Sequence, residues 1–104
     1  LYATPPVFNC YIANKVGHWV ERQGGVAAMQ ALNQSKAKAL YEYIDASGFY
    51  HCPIAKSARS NINICFNVNQ EALLPVFLKQ AQESQLLALQ GHRAVGGLRA
   101  SLYN

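Results

Sequence analysis

The sequence predicts an α+β fold: two N-terminal helices packed with a small, mainly antiparallel sheet and a third helix. Three observations carry this. Two segments with apolar residues at helical spacing open the chain and meet at Gly24 and Gly25. The stretch NINICFNVN then alternates apolar and polar residues strictly, as a half-buried strand does. A third helical segment and two further strand-like runs follow, with no internal repeat and no low-complexity linker.

Thr4, Pro5 and Pro6 read as a helix entry, with a hydroxyl N-cap followed by prolines whose missing N–H groups need no intrahelical partner. Phe8, Ile12, Val16, Trp19 and Val20 recur at helical spacing, so helix one covers about residues 5 to 23 and ends at the two glycines. The second helix places Met29, Leu32, Leu40, Tyr41 and Ile44 on one face and ends near Ser47 and Gly48. After the turn-rich HCPIAKSARS, the first strand turns Ile62, Ile64, Phe66 and Val68 inward and Asn61, Asn63, Cys65 and Asn67 to water or to a neighbour. Asn69 is expected to cap a third helix running to about Ser84, with Pro75 acceptable only near its first turn. Leu86 to Leu89 reads as a short buried strand, and Leu98, Ala100 and Leu102 form the inward face of the last one.

Composition narrows the functional classes. A chain of 104 residues with 51% hydrophobic and 13% charged residues is too apolar to stay disordered and large enough for one modest core. The net charge of +4 is scattered rather than gathered into a basic arm, and basic and aromatic residues are not interleaved for nucleic acid. Tyr11, Tyr41, Tyr43, Tyr50 and Trp19 read as core or interface residues. Cys10, Cys52 and Cys65 are odd in number, form no CxxC pair and have no zinc spacing with His18, His51 or His92. No metal is expected, and reduced thiols suit a cytoplasmic protein. No stretch approaches the ~20 apolar residues of a membrane span. The chain opens without Met and ends directly after a strand-like run, so a piece of something longer is expected.

The concentration of chemistry lies in GHRAVGGLRAS, residues 91 to 101, where His92, Arg93 and Arg99 stand among three glycines with no acidic residue. Arg99 would project from the start of a strand, while His92 and Arg93 belong to the preceding loop. Two separated anchors suit a ligand with two anionic ends, and the planar guanidinium matches a carboxylate or phosphate bidentately. Lys56 and Arg59 could join this patch. An arginine on a strand is also read as a solvated residue or half of a surface ion pair, so the residues alone leave both readings open. A stand-alone basic module for phosphorylated small molecules or RNA is the competing class.

The run GHRAVGGLRASLYN, the opening TPPVFNCYIANKVGHWVERQGGVAAM and the segment RSNINICF together resemble the C-terminal part of the phosphoserine aminotransferase family. These are class-V, fold-type I enzymes that use pyridoxal phosphate, and the resemblance spans essentially the whole chain. It implies that residues 1–104 are a single, small C-terminal domain without the large cofactor-binding domain. It further implies a cytoplasmic homodimer that transfers an amino group from glutamate to 3-phosphohydroxypyruvate by a ping-pong route. The pathway is serine biosynthesis and, in some bacteria, pyridoxine biosynthesis; neither nucleic acid nor membrane is a partner.

By the same resemblance Arg99 binds the substrate α-carboxylate. His92 and Arg93 lie near the other end, a phosphate in one half-reaction and a side-chain carboxylate in the other. The family also uses an Asn-Thr pair before the two prolines to reach the cofactor phosphate of the neighbouring subunit; Thr4 matches, but Ala3 stands where asparagine is expected. None of Lys15, Lys36, Lys38, Lys56 or Lys79 sits in the context of the Schiff-base lysine, which belongs to the preceding domain. No catalytic residue is therefore expected in this chain, and the fragment alone is expected to bind no cofactor and to be inactive.

Overall fold

The structure is a computed structural model and describes residues 4–104. The elements are α1 (Val7–Arg22), α2 (Gly25–Ala46), β1 (Tyr50–His51), β2 (Asn63–Val68), α3 (Leu74–Glu83) and β3 (Leu98–Ser101), with short 3₁₀ turns at Lys56–Ala58 and Glu71–Leu73. The residues fall into two compact units, one ending at Leu32 and one running from Asn33 to Asn104.

In the first unit α1 starts later than its sequence suggests. Its N-cap is Pro6, with no side-chain cap, and the first helical bond runs from Cys10 N to Pro6 O at 3.0 Å. Thr4 is not the cap. Pro5 precedes a proline and so resists the helical region, and Pro6 has no N–H to offer a Thr4 hydroxyl. Gly24 and Gly25, both with positive φ, end α1 and separate it from α2. The apolar stripe of α1 forms as expected, yet no residue of this helix is buried; Phe8 is 73% exposed.

In the second unit the sheet has the order β1-β2-β3 and is antiparallel throughout. Asn63 pairs with Ser101, Ile64 with Ala100, Cys65 with Arg99 and Phe66 with Leu98. Because side chains alternate, Ile64, Phe66, Val68 and Leu98 share one face, and Ala37, Tyr41 and Ile44 of α2 cover it to make the core. Tyr50, Phe66 and Phe77 extend this core in edge-on contacts, with ring centroids 5.7 to 6.4 Å apart. β1 is only two residues long and has no alternation to announce it.

Two expectations fail for identifiable reasons. Asn69 does not cap α3: its amide donates to Gly48 O at 2.7 Å and its Oδ1 lies 2.7 Å from His51 Nδ1, which secures the open end of the β1–β2 pair. A 3₁₀ turn intervenes, Leu73 becomes the N-cap, and Pro75 falls in the first turn where it is tolerated. Leu86 to Leu89 is not a buried strand. Gln85 has φ +63°, Gln85 N bonds Gln82 O at 3.0 Å and Leu86 N bonds Ala81 O at 2.8 Å, which is a Schellman closure of α3. The leucines that follow are committed to that exit, and Leu86 and Leu87 are 58% and 69% exposed.

Candidate functional site

Residues 89–91 run antiparallel to residues 97–99 and form a small hairpin at the edge of the sheet. Arg99 N donates to Leu89 O at 2.7 Å, Gln90 bridges Leu98, and Gly91 N donates to Gly97 O at 2.8 Å. Residues 92–96 form the loop beyond that closing pair. Gly91 is required there by close approach: a Cβ on it would meet the carbonyl of Gly96 and lie 2.9 Å from the carbonyl oxygen of Gly97.

Inside the loop, Val95 N and Gly96 N both donate to His92 O, at 3.0 and 2.8 Å. Ala94 N donates to His92 Nδ1 at 3.2 Å. Arg93 follows His92 at the exposed tip. Arg99 leaves β3 on the face opposite the core, because Leu98 and Ala100 on either side of it point inward. Its cross-strand partner is Cys65, and on the same face Ser101 Oγ donates to Asn63 Oδ1 at 3.0 Å. Arg99 also lines an open hollow of about 430 Å³ with Leu86, Leu87 and Tyr103.

The structure thus brings the three predicted residues onto one hairpin, with His92 and Arg93 in its loop and Arg99 on its outgoing strand. Among the described residues, no hydrogen bond joins them to one another. Among the described residues, no ion pair involves Arg93 or Arg99. Two guanidiniums without a carboxylate partner, one on a rigid strand and one in a hydrogen-bonded turn, can receive two anionic groups.

Arg59 and Lys56 do not belong to this patch. Arg59 forms a two-pronged pair with Asp45, at 2.7 and 2.8 Å, and its guanidinium lies 4.6 Å from the centre of the Tyr41 ring. Lys56 approaches the same carboxylate at 4.0 Å. The hydrogen bond from Arg59 holds the Asp45 carboxyl below its ordinary pKa, and burial pushes the Tyr41 hydroxyl up while that hydroxyl donates to Ser60 O at 3.0 Å. These contacts fasten the 52–62 segment to α2. Among the described residues no group of three His, Cys, Asp or Glu side chains could hold a metal, and no helix is long and apolar enough to cross a membrane.

Thr4 is exposed, and its hydroxyl makes no hydrogen bond among the described residues. Ala3, placed by position at the cofactor phosphate, lies outside the described residues. The Asn63–Ser101 bond beside Arg99 has no signal in the sequence: each residue is an ordinary polar position of its strand, and only the register between β2 and β3 makes them neighbours.

The family described as "Aminotransferase class-V" matches residues 2–104. A phosphoserine aminotransferase of Legionella pneumophila is 52% identical over 104 residues, covering 100% of this chain and 29% of that protein. One from Bordetella avium is 50% identical over 103 residues, covering 99% of this chain and 27% of the relative. Among solved structures, phosphoserine aminotransferase from Bacillus circulans subsp. alkalophilus superposes with a TM-score of 0.92 at 43% identity, over 98% of this chain and 28% of that one. The pyridoxal-phosphate-bound phosphoserine aminotransferase of Trichomonas vaginalis gives 0.88 at 39% identity, over 99% and 30%. The chain spans less than a third of the length of these relatives. With the family matched over all but its first residue, and the fold shared, the chain belongs to the class-V aminotransferases.

Proposed function

We propose that this chain is the small C-terminal domain of a phosphoserine transaminase, a cytoplasmic homodimer that moves an amino group between glutamate and 3-phosphohydroxypyruvate. The observation that carries this reading is Arg99: a guanidinium on the outer face of a strand, with no carboxylate partner among the described residues, beside a turn that presents Arg93 and His92. The strand fixes the direction of Arg99, and its planar fork fits the α-carboxylate common to both substrates. The loop residues meet the far end, where a carboxylate alternates with a phosphate. Both are oxygen anions, and N–H donors serve either.

In the complete protein, pyridoxal phosphate supplies the electron sink for amino-group transfer. The fit of this chain to that cofactor is limited to one group. Thr4 has an exposed hydroxyl able to donate to a phosphate oxygen of the neighbouring subunit, whereas Ala3 has no polar side chain to offer. The remaining contributions of these residues are binding and orientation of the substrate, with the bond-making groups in the preceding part of the polypeptide.

The test is Arg99→Lys in the complete protein. Lysine keeps the charge and loses the two-pronged geometry, so kcat/KM for both substrates should fall by about 10- to 150-fold, the equivalent of a charge-assisted hydrogen bond of about 1.5–3 kcal/mol. Unchanged kinetics with both substrates would remove Arg99 from the site.

A further inference from the structure

We infer that His92 is the positioning residue of the anion-binding loop, held as the Nε2–H tautomer, so that it meets the substrate as a neutral donor while Arg93 is the loop residue that brings formal charge. This rests on the loop reading proposed above and goes beyond it in assigning the two ring nitrogens different tasks.

Three successive backbone N–H groups converge on this one residue. Ala94 N donates to the ring Nδ1 at 3.2 Å, and Val95 N and Gly96 N donate to the His92 carbonyl at 3.0 and 2.8 Å. The Gly91–Gly97 bond of 2.8 Å closes the loop beneath them. A backbone N–H can only donate, so Nδ1 must present a lone pair, and the proton of the neutral imidazole then resides on Nε2. A proton on Nδ1 is incompatible with the Ala94 bond. His92 is exposed and Nε2 has no partner among the described residues, so Nε2–H remains for a ligand.

The consequence concerns Arg93. It lies between His92 and the three donors that His92 gathers, so the direction of its Cα–Cβ bond is set by this turn rather than by a strand or a helix. Losing the ring acceptor frees Ala94 N and loosens the backbone on the C-terminal side of Arg93. The side chain of asparagine can reproduce the Nδ1 acceptor at the same distance from the backbone, but it has nothing at the Nε2 position. Glutamine reaches the Nε2 position but does not reproduce the acceptor.

The experiment uses the complete protein in two measurements. First, ring ¹⁵N chemical shifts of His92, assigned by their loss in His92→Asn, are recorded without substrate at neutral pH. Nδ1 should give the shift of an unprotonated nitrogen and Nε2 that of a protonated one. The reverse pattern, or protonation of both, overturns the tautomer. Second, the effect of Arg93→Gln on kcat/KM for 3-phosphohydroxypyruvate is measured in wild-type, His92→Asn and His92→Ala backgrounds. The Asn background should preserve the wild-type effect, and the Ala background should shrink it by about threefold or more, as expected for coupled neighbours. Equal effects in the Asn and Ala backgrounds overturn the positioning role. If Arg93→Gln changes nothing in any background, the anion reading of the loop fails with it, while the ring shifts still decide the tautomer.

Discussion

Replacing Gly91 by alanine tests whether the closed shape of the loop matters to binding. The added Cβ would meet Gly96 O and lie 2.9 Å from both Gly96 C and Gly97 O, all of them backbone atoms that cannot rotate aside. Ordinary contact begins at 3.4 Å, so the Gly97 carbonyl must withdraw by roughly half an ångström. Such a movement stretches the 2.8 Å bond from Gly91 N to about 3.3 Å, past the usual range of about 2.7–3.2 Å, and weakens it. The direct loss is part of one backbone hydrogen bond, whose full worth is about 0.5–1.5 kcal/mol of local stability. On the proposed function the loss of activity is larger, because opening the loop that carries His92 and Arg93 displaces a guanidinium contact of about 1.5–3 kcal/mol and should lower kcat/KM by about 10- to 150-fold. The assay is steady-state kinetics of the complete protein with both substrates. Gly48→Ala is the control, since a Cβ there meets nothing within 4 Å and no positive φ is involved. A Gly91→Ala enzyme with wild-type kcat and KM for both substrates would refute the reasoning.

Two further outcomes concern the fold. Ile64 is fully buried and Ile62 is 45% exposed, although both belong to the same alternating stretch. Ile64→Ala should therefore cost about 2–5 kcal/mol in urea unfolding, and Ile62→Ala much less. The Asp45–Arg59 pair should give an acid-sensitive contribution to stability. The folded Asp45 carboxyl titrates below its ordinary value of 3.8, so the contribution is complete above that value and lost as the pH falls through the folded one. Asp45→Asn should lower stability at neutral pH, and the gap to wild type should close in strong acid; a gap that persists there would contradict the pairing.

Periodicity made the core positions of β2 and α2 legible. Alternation identified Ile64, Phe66 and Val68, and helical spacing identified Tyr41 and Ile44. What stayed hidden depended on partners distant in the chain. Asn69 looked like a helix cap because its type suits that role, but its amide found Gly48 O and its Oδ1 found His51. Leu86 to Leu89 looked like a strand by apolarity, while the C-terminal closure of α3 had already claimed Leu86 N. At the site, residue type alone singled out His92, Arg93 and Arg99. The separation of Arg59 from them required Asp45, fourteen residues away, to be seen against it. The ring bond of His92 to Ala94 is local, yet no pattern of residue types announces it.

The most direct measurement is a crystal structure of the complete protein with phosphoserine bound. The carboxylate should sit on the Arg99 guanidinium through two N–H···O bonds of about 2.7–2.9 Å, with the phosphate against the 92–96 loop. A phosphate on Arg99, or a ligand held with neither end on this hairpin, would contradict the assignment.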